Sequence, residues 1–166
     1  MPLARALLKA HLRIVAALLC AGACMPFASS APLPTATATL HFATIDLPRG
    51  SYCWNTGGSG QCADSAGPDQ LLKTGYLNPY KTAGGFDARI NFKAAAPPHG
   101  FGVQLVLTPA GVSAPRAVPS DETLTFTIPA VTPGAAGVYV YVVTGTWPES
   151  GDVSFFLALD LVPGGA

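Results

Sequence analysis

From residue 40 onward, apolar and polar residues alternate with a period of two, the pattern of a strand with one face on a core and the other in water. Phe86, Ala88, Ile90 and Phe92 fall on one side of such a strand, and Asp87, Arg89, Asn91 and Lys93 on the other. The same reading holds for Phe101, Val103, Leu105 and Leu107, and for Leu124, Phe126 and Ile128 against Thr123, Thr125 and Thr127. Gly137 to Val143 differs, because Val138, Val140 and Val142 oppose Tyr139, Tyr141 and Val143. Both of its faces are apolar, so it should run through the middle of a sheet. The last run places Val153, Phe155, Leu157, Leu159 and Leu161 on a core face, opposite the mixed set Ser154, Phe156, Ala158 and Asp160.

Turn signals separate these runs, at Leu47-Pro-Arg-Gly50, Ala96-Pro-Pro-His-Gly100, Thr108-Pro-Ala-Gly111, Thr132-Pro-Gly134 and Pro148-Glu-Ser-Gly151. No convincing amphipathic helix interrupts them, and the connections are too short for parallel crossovers. The expectation is an all-β fold, an antiparallel two-layer sandwich of about seven strands. Thr132-Pro-Gly-Ala-Ala-Gly-Val-Tyr139 adds a tyrosine at the start of a central strand, just after a glycine-bearing corner. That is where immunoglobulin-like sandwiches carry a tyrosine corner. Tyr141 stands where such domains carry the second cysteine of their intersheet disulfide.

The first 30 residues have a different character. A basic stretch from Arg5 to Arg13 precedes an apolar run from Ile14 to Ala23 and a small-residue exit, the three parts of a secretory signal peptide. The run is shorter than the about 20 apolar residues that a membrane-spanning helix needs. Cleavage after Ser30 would leave a mature chain of roughly 135 residues, the size of one ordinary domain. Residues 31–39, rich in Pro, Thr and Ala, read as a tether or a frayed edge strand, and residues 40–166 as the β domain. Cys24 meets half of the lipid-attachment pattern and is the candidate anchor, so membrane attachment of the mature chain would be through lipid alone. Without Arg5, Lys9 and Arg13, six Lys/Arg face nine Asp/Glu, which gives the mature domain a weakly acidic balance. The clustered cations that nucleic-acid binding requires are missing.

Cys53 and Cys62 lie in the exported part, where an oxidising compartment favours a disulfide between them. Their spacing matches no complete metal-ligand set, and nothing else in the chain signals a metal or cofactor. Candidate catalytic groups are sparse. Ser59 sits in Thr56-Gly-Gly-Ser-Gly-Gln61, which lacks the second glycine of a nucleophile elbow, and reads as a hairpin tip. His41 alternates with Leu40 and Phe42 toward solvent, and His99 follows two prolines in a turn. Asp64, Asp69 and Asn55 match no calcium loop and read as turn caps.

Aromatic residues are the best candidates for ligand contact. Tyr52 and Trp54 bracket Cys53, Tyr76 and Tyr80 follow in a Gly/Asn/Pro-bearing loop, and Trp147 ends the central strand. Exposed, they would stack on sugar rings or dock a protein; buried, Trp54 and Trp147 would plug the end of the core.

Two segments form a pair: Gly50-Ser-Tyr-Cys-Trp54 leading into Asp64-Ser65, Gly67-Pro68 and Leu71-Leu72, and Tyr139-Val-Tyr-Val-Val-Thr-Gly-Thr-Trp147 leading into Gly151-Asp-Val-Ser-Phe155. Together they resemble small exported bacterial proteins, often lipoproteins, with a Gly-Ser-Tyr-x-Trp start and a Tyr-Val-Tyr…Trp…Gly-Asp-Val-Ser end. The resemblance implies an extracytoplasmic β-sandwich and carries over no activity. The expected role is a non-enzymatic module, periplasmic or extracellular, that binds an envelope protein or glycan. The alternatives are a hydrolase inhibitor presenting the Cys53 to Cys62 loop, an envelope hydrolase, and a purely structural envelope component.

Overall fold

The computed structural model describes residues 32–164 apart from 56, 119, 121 and 122. The leader and the candidate anchor Cys24 lie outside the described residues. Among the described residues, eleven strands and one short α-helix follow in order: β1 (Thr35–Thr39), β2 (Thr44–Leu47), β3 (Arg49–Asn55), β4 (Gly60–Ala63), α1 (Pro68–Lys73), β5 (Tyr80–Ala83), β6 (Phe86–Lys93), β7 (Gly100–Thr108), β8 (Gly111–Val118), β9 (Thr125–Ile128), β10 (Gly137–Trp147) and β11 (Gly151–Val162), with a single 3-10 turn at Pro133–Ala135 before β10. No helix among the described residues is long and apolar enough to cross a membrane.

The fold is all-β with sheets that are antiparallel in all but one pairing, and among the described residues it has eleven strands rather than the expected seven, with the larger sheet curled. The smaller sheet has the order β2-β1-β6-β9 and the larger β4-β3-β11-β10-β7-β8, with β5 also on β11. That last pairing is parallel, contrary to the purely antiparallel expectation. The segment read as a tether or frayed edge contains β1, an interior strand between β2 and β6, with Ala36 and Ala38 buried. At Pro48 the chain passes from the smaller sheet to the larger, since β2 ends at Leu47 and β3 begins at Arg49. What reads as a turn signal is a change of sheet.

The inner faces meet in one cluster, to which Ala38, Ala88, Ile90 and Ile128 contribute from the smaller sheet and Val143, Phe155, Leu157 and Leu159 from the larger. The outer face of the larger sheet carries a second cluster of Val106, Leu107, Val140, Phe156 and Ala158, covered by Leu77 and by Leu71 and Leu72 of α1. Here lies the reason for the doubly apolar β10: Tyr141 and Val143 serve the first core and Val140 the second.

Two bulges break the period of two. In β7, Leu105 pairs with Tyr141 and Leu107 with Val140, so Val106 is the extra residue. The bulge turns Leu107 out of the inner core and into the outer cluster, so it does not share a face with Leu105 as strict alternation would require. Between β3 and β11 the register shifts between Val153 and Phe155. At the corner before β10, the Tyr139 hydroxyl donates to the Ala135 carbonyl at 2.7 Å, which is the geometry of a tyrosine corner.

Candidate functional site

The exposed aromatic set divides once the side chains are placed. Trp54 and Trp147 are 4% and 5% exposed, and their rings meet edge to face with centroids 5.3 Å apart. Phe92 packs on Trp147 at 5.6 Å and on Phe155 at 5.8 Å, and the Trp147 indole N–H donates to the Ala96 carbonyl at 2.8 Å. Gly145 makes room for this arrangement, because a Cβ there would lie 2.8 Å from the Trp147 ring. Both tryptophans therefore belong to the core, which withdraws them from the candidate ligand contacts. Cys53 is exposed while Trp54 beside it is buried, on the opposite face of β3.

The disulfide joins Cys53 to Cys62, directly opposite residues of β3 and β4. All four residues of β4 are exposed, so the stapled hairpin forms a free edge of the larger sheet. At its tip the Asn55 side-chain oxygen accepts from the backbone N–H groups of Gly57 and Gly58. Gly151 opens the partner strand with φ +110°, and a Cβ there would run into the Cys53 carbonyl.

Tyr52 and Tyr76 meet across a groove of about 300 Å³. Its floor comes from Arg49, Gly50 and Tyr52 of β3, and its rim from Asp64, Ser65 and Ala66 after β4 and from Leu71 and Tyr76. The β3–β11 bulge lies beneath it. There β3 loses its regular pairing, and the Phe156 N–H bonds to the Pro48 carbonyl at 2.9 Å. Bulges of this kind re-aim side chains, and here the result is an open concavity at the change of sheet.

Hydrogen bonds hold the groove in shape. The Tyr76 hydroxyl donates to the Arg49 carbonyl at 3.0 Å. Ser65 N–H donates to Ser51 Oγ at 3.0 Å, and the Ser154 hydroxyl donates to the Ser51 carbonyl at 2.8 Å. The Arg49 guanidinium lies 6.0 Å from the Tyr52 ring centroid, and its Nη2 donates to the Pro34 carbonyl at 3.0 Å. Its Nε is buried and has no acceptor among the described residues. Neither Arg49 nor Asp64 forms an ion pair among them. The groove thus presents a cation, a carboxylate, two phenols and one serine on a fixed backbone.

Tyr80 is exposed on β5 and is not part of the groove lining. Of the polar residues weighed from sequence, Asp64 and Ser65 line the groove, whereas Asp69 pairs with Lys73 at 3.6 Å within α1. His41 lies in the turn between β1 and β2, against Phe42, and the N–H of His99, just before β7, donates to the Thr146 carbonyl of β10. The described groove wall holds no histidine. Arg49, the residue that sequence reasoning missed, was hidden inside Leu47-Pro-Arg-Gly50; a cation entering an aromatic strand was the available signal. Comparison with family models, with curated proteins and with solved structures gives no match to this chain.

Proposed function

We propose that this chain is an exported, non-enzymatic binding module of the cell envelope, and that the groove between β3 and α1 holds a glycan. The observation that carries this reading is the grouping of Tyr52 and Tyr76 with Arg49 and Asp64, two charged groups without ion-pair partners among the described residues. Phenol faces suit sugar rings, and the charged and hydroxyl groups suit the donors and acceptors around such a ring. The groove is at the small end of ligand sites, which favours a few sugar units over a protein surface of about 800 Å² per partner. The leader and the disulfide support export, with cleavage either after Ser30, which releases a free mature domain, or after Ala23, which leaves Cys24 at the new N-terminus for a lipid. We further read the fold as an elaborated immunoglobulin-like sandwich; two sheets sharing one core and the Tyr139 corner support this.

One observation favours a second reading. The Cys53–Cys62 hairpin is exposed along β4 and covalently held, as the loop of a hydrolase inhibitor would be. The two readings separate when immobilised mature domain is challenged with an envelope extract and with soluble oligosaccharides. Retention of oligosaccharide that Tyr52→Ala and Tyr76→Ala abolish supports the groove. Capture of a hydrolase that survives both substitutions, but not changes at Gly58 and Gln61, would replace the groove reading with the inhibitor.

A further inference from the structure

A second cavity, of about 380 Å³, opens between the sheets where β8 and β9 form their edges, with Leu105, Arg116, Val118, Thr127, Tyr139 and Tyr141 in its wall. Its volume lies within the range of small-molecule sites. The lining combines aliphatic and aromatic surface with two phenols and one guanidinium. Tyr141 is 1% exposed, and its hydroxyl has no hydrogen-bond partner among the described residues. A buried hydroxyl left in that state destabilises a fold, and phenylalanine would fill the same space without it. Tyr139, by contrast, already spends its proton on the Ala135 carbonyl.

Arg116 belongs to the same cross-strand row. Tyr141 pairs with Leu105 and Leu105 with Arg116, and residues paired in this way point to one face of a sheet. The Val106 bulge borders this row on β7. Arg116 is exposed at the mouth, forms no ion pair among the described residues, and its charge is felt at the phenol below. Burial, followed by the Tyr139 charge, pushes the Tyr141 phenol up to about 12, with Arg116 opposing the rise. At neutral pH Tyr141 is therefore a proton donor that lacks an acceptor. An inward charge on an edge strand also discourages strand addition, but that role leaves the buried phenol unexplained.

We propose that this inter-sheet pocket binds a small carboxylic acid with an apolar body, the ring or alkyl part lying against Leu105 and Val118 and the carboxylate accepting from the Tyr141 hydroxyl while facing Arg116. The site is separate from the groove at Tyr52 and Tyr76, so either assignment stands or falls alone.

The test is an NMR titration of the mature chain with benzoate, with hexanoate and with the uncharged benzyl alcohol, on wild type, Tyr141→Phe and Arg116→Gln. The expected result is saturable acid binding that shifts Leu105, Val118 and Tyr141, weakened by about tenfold or more in each variant and for the alcohol. Tyr141→Phe keeps the ring and Arg116→Gln changes an exposed residue, so both should fold. Absence of saturable shifts with either acid in wild type, shifts confined to other regions, or equal affinity in wild type and both variants would overturn the proposal.

Discussion

The two ends of strand β3 begin from similar residues and finish differently. Trp54, paired with Gly151, lies buried against Trp147; Tyr52, two residues earlier, borders an open groove. Alternation alone gives both the same face. The difference arises just beyond the Tyr52–Val153 pair, where Gly50 and Ser51 of β3 stand opposite the single residue Ser154 of β11. Trp54 is enclosed within the regular ladder, whereas Tyr52, at its end, packs against the same core but stays half-buried and lines the groove. The Val106 bulge in β7 borders a different outcome, a half-open, mainly apolar pocket between the two sheets.

The comparison is broken most forcefully from the ordered end. Trp147→Ala removes a ring that Trp54 and Phe92 both contact and leaves the Ala96 carbonyl without its donor, so a loss of about 3–5 kcal/mol is expected in denaturant unfolding. Next comes the staple. Replacing both Cys53 and Cys62 by serine should cost roughly 2–3 kcal/mol and also loosen the rim at Asp64 and Ser65, which follows β4.

Alkaline pH tests the second bulge. The folded chain keeps the Tyr141 proton up to about 12, whereas an unfolded tyrosine loses it near 10, so between those values the unfolded state binds fewer protons and stability falls as pH rises. The contribution is fully present below pH 10. The part specific to Tyr141, read as wild type against Tyr141→Phe, should amount to about 1 kcal/mol at pH 11. At neutral pH the same variant should be as stable as wild type or slightly more so. Smallest is the effect of Tyr76→Ala, a half-exposed residue whose removal should change stability by less than about 1 kcal/mol while ending groove binding.

Much of the architecture was legible because burial follows sequence periodicity. The wet and dry faces of β6, the core face of β11 and the two-sided burial of β10 can all be read from alternate residues, as can the cystine and the Tyr139 corner. The groove was half legible. Tyr52, Tyr76 and Asp64 were individually visible, yet nothing local brings residue 76 beside residue 49, since that contact depends on the chain returning to β3 after α1. The bulges were invisible for a related reason. A one-residue slip leaves composition unchanged and is set by packing between strands far apart in the chain, so Leu107 reads as inward when it faces out. The parallel pairing of β5 with β11 and the interior place of β1 are long-range outcomes of the same sort.

The groove reading meets its most direct test in backbone-amide NMR of the mature, disulfide-bonded chain titrated with a panel of soluble cell-wall oligosaccharides. The account predicts saturable shifts at Arg49 to Tyr52, Asp64 to Ala66 and Tyr76, with Trp54 and Trp147 unmoved and the response lost in Tyr76→Ala. Shifts that center on the Gly57 to Gln61 hairpin, or a response unchanged by Tyr76→Ala, would contradict it.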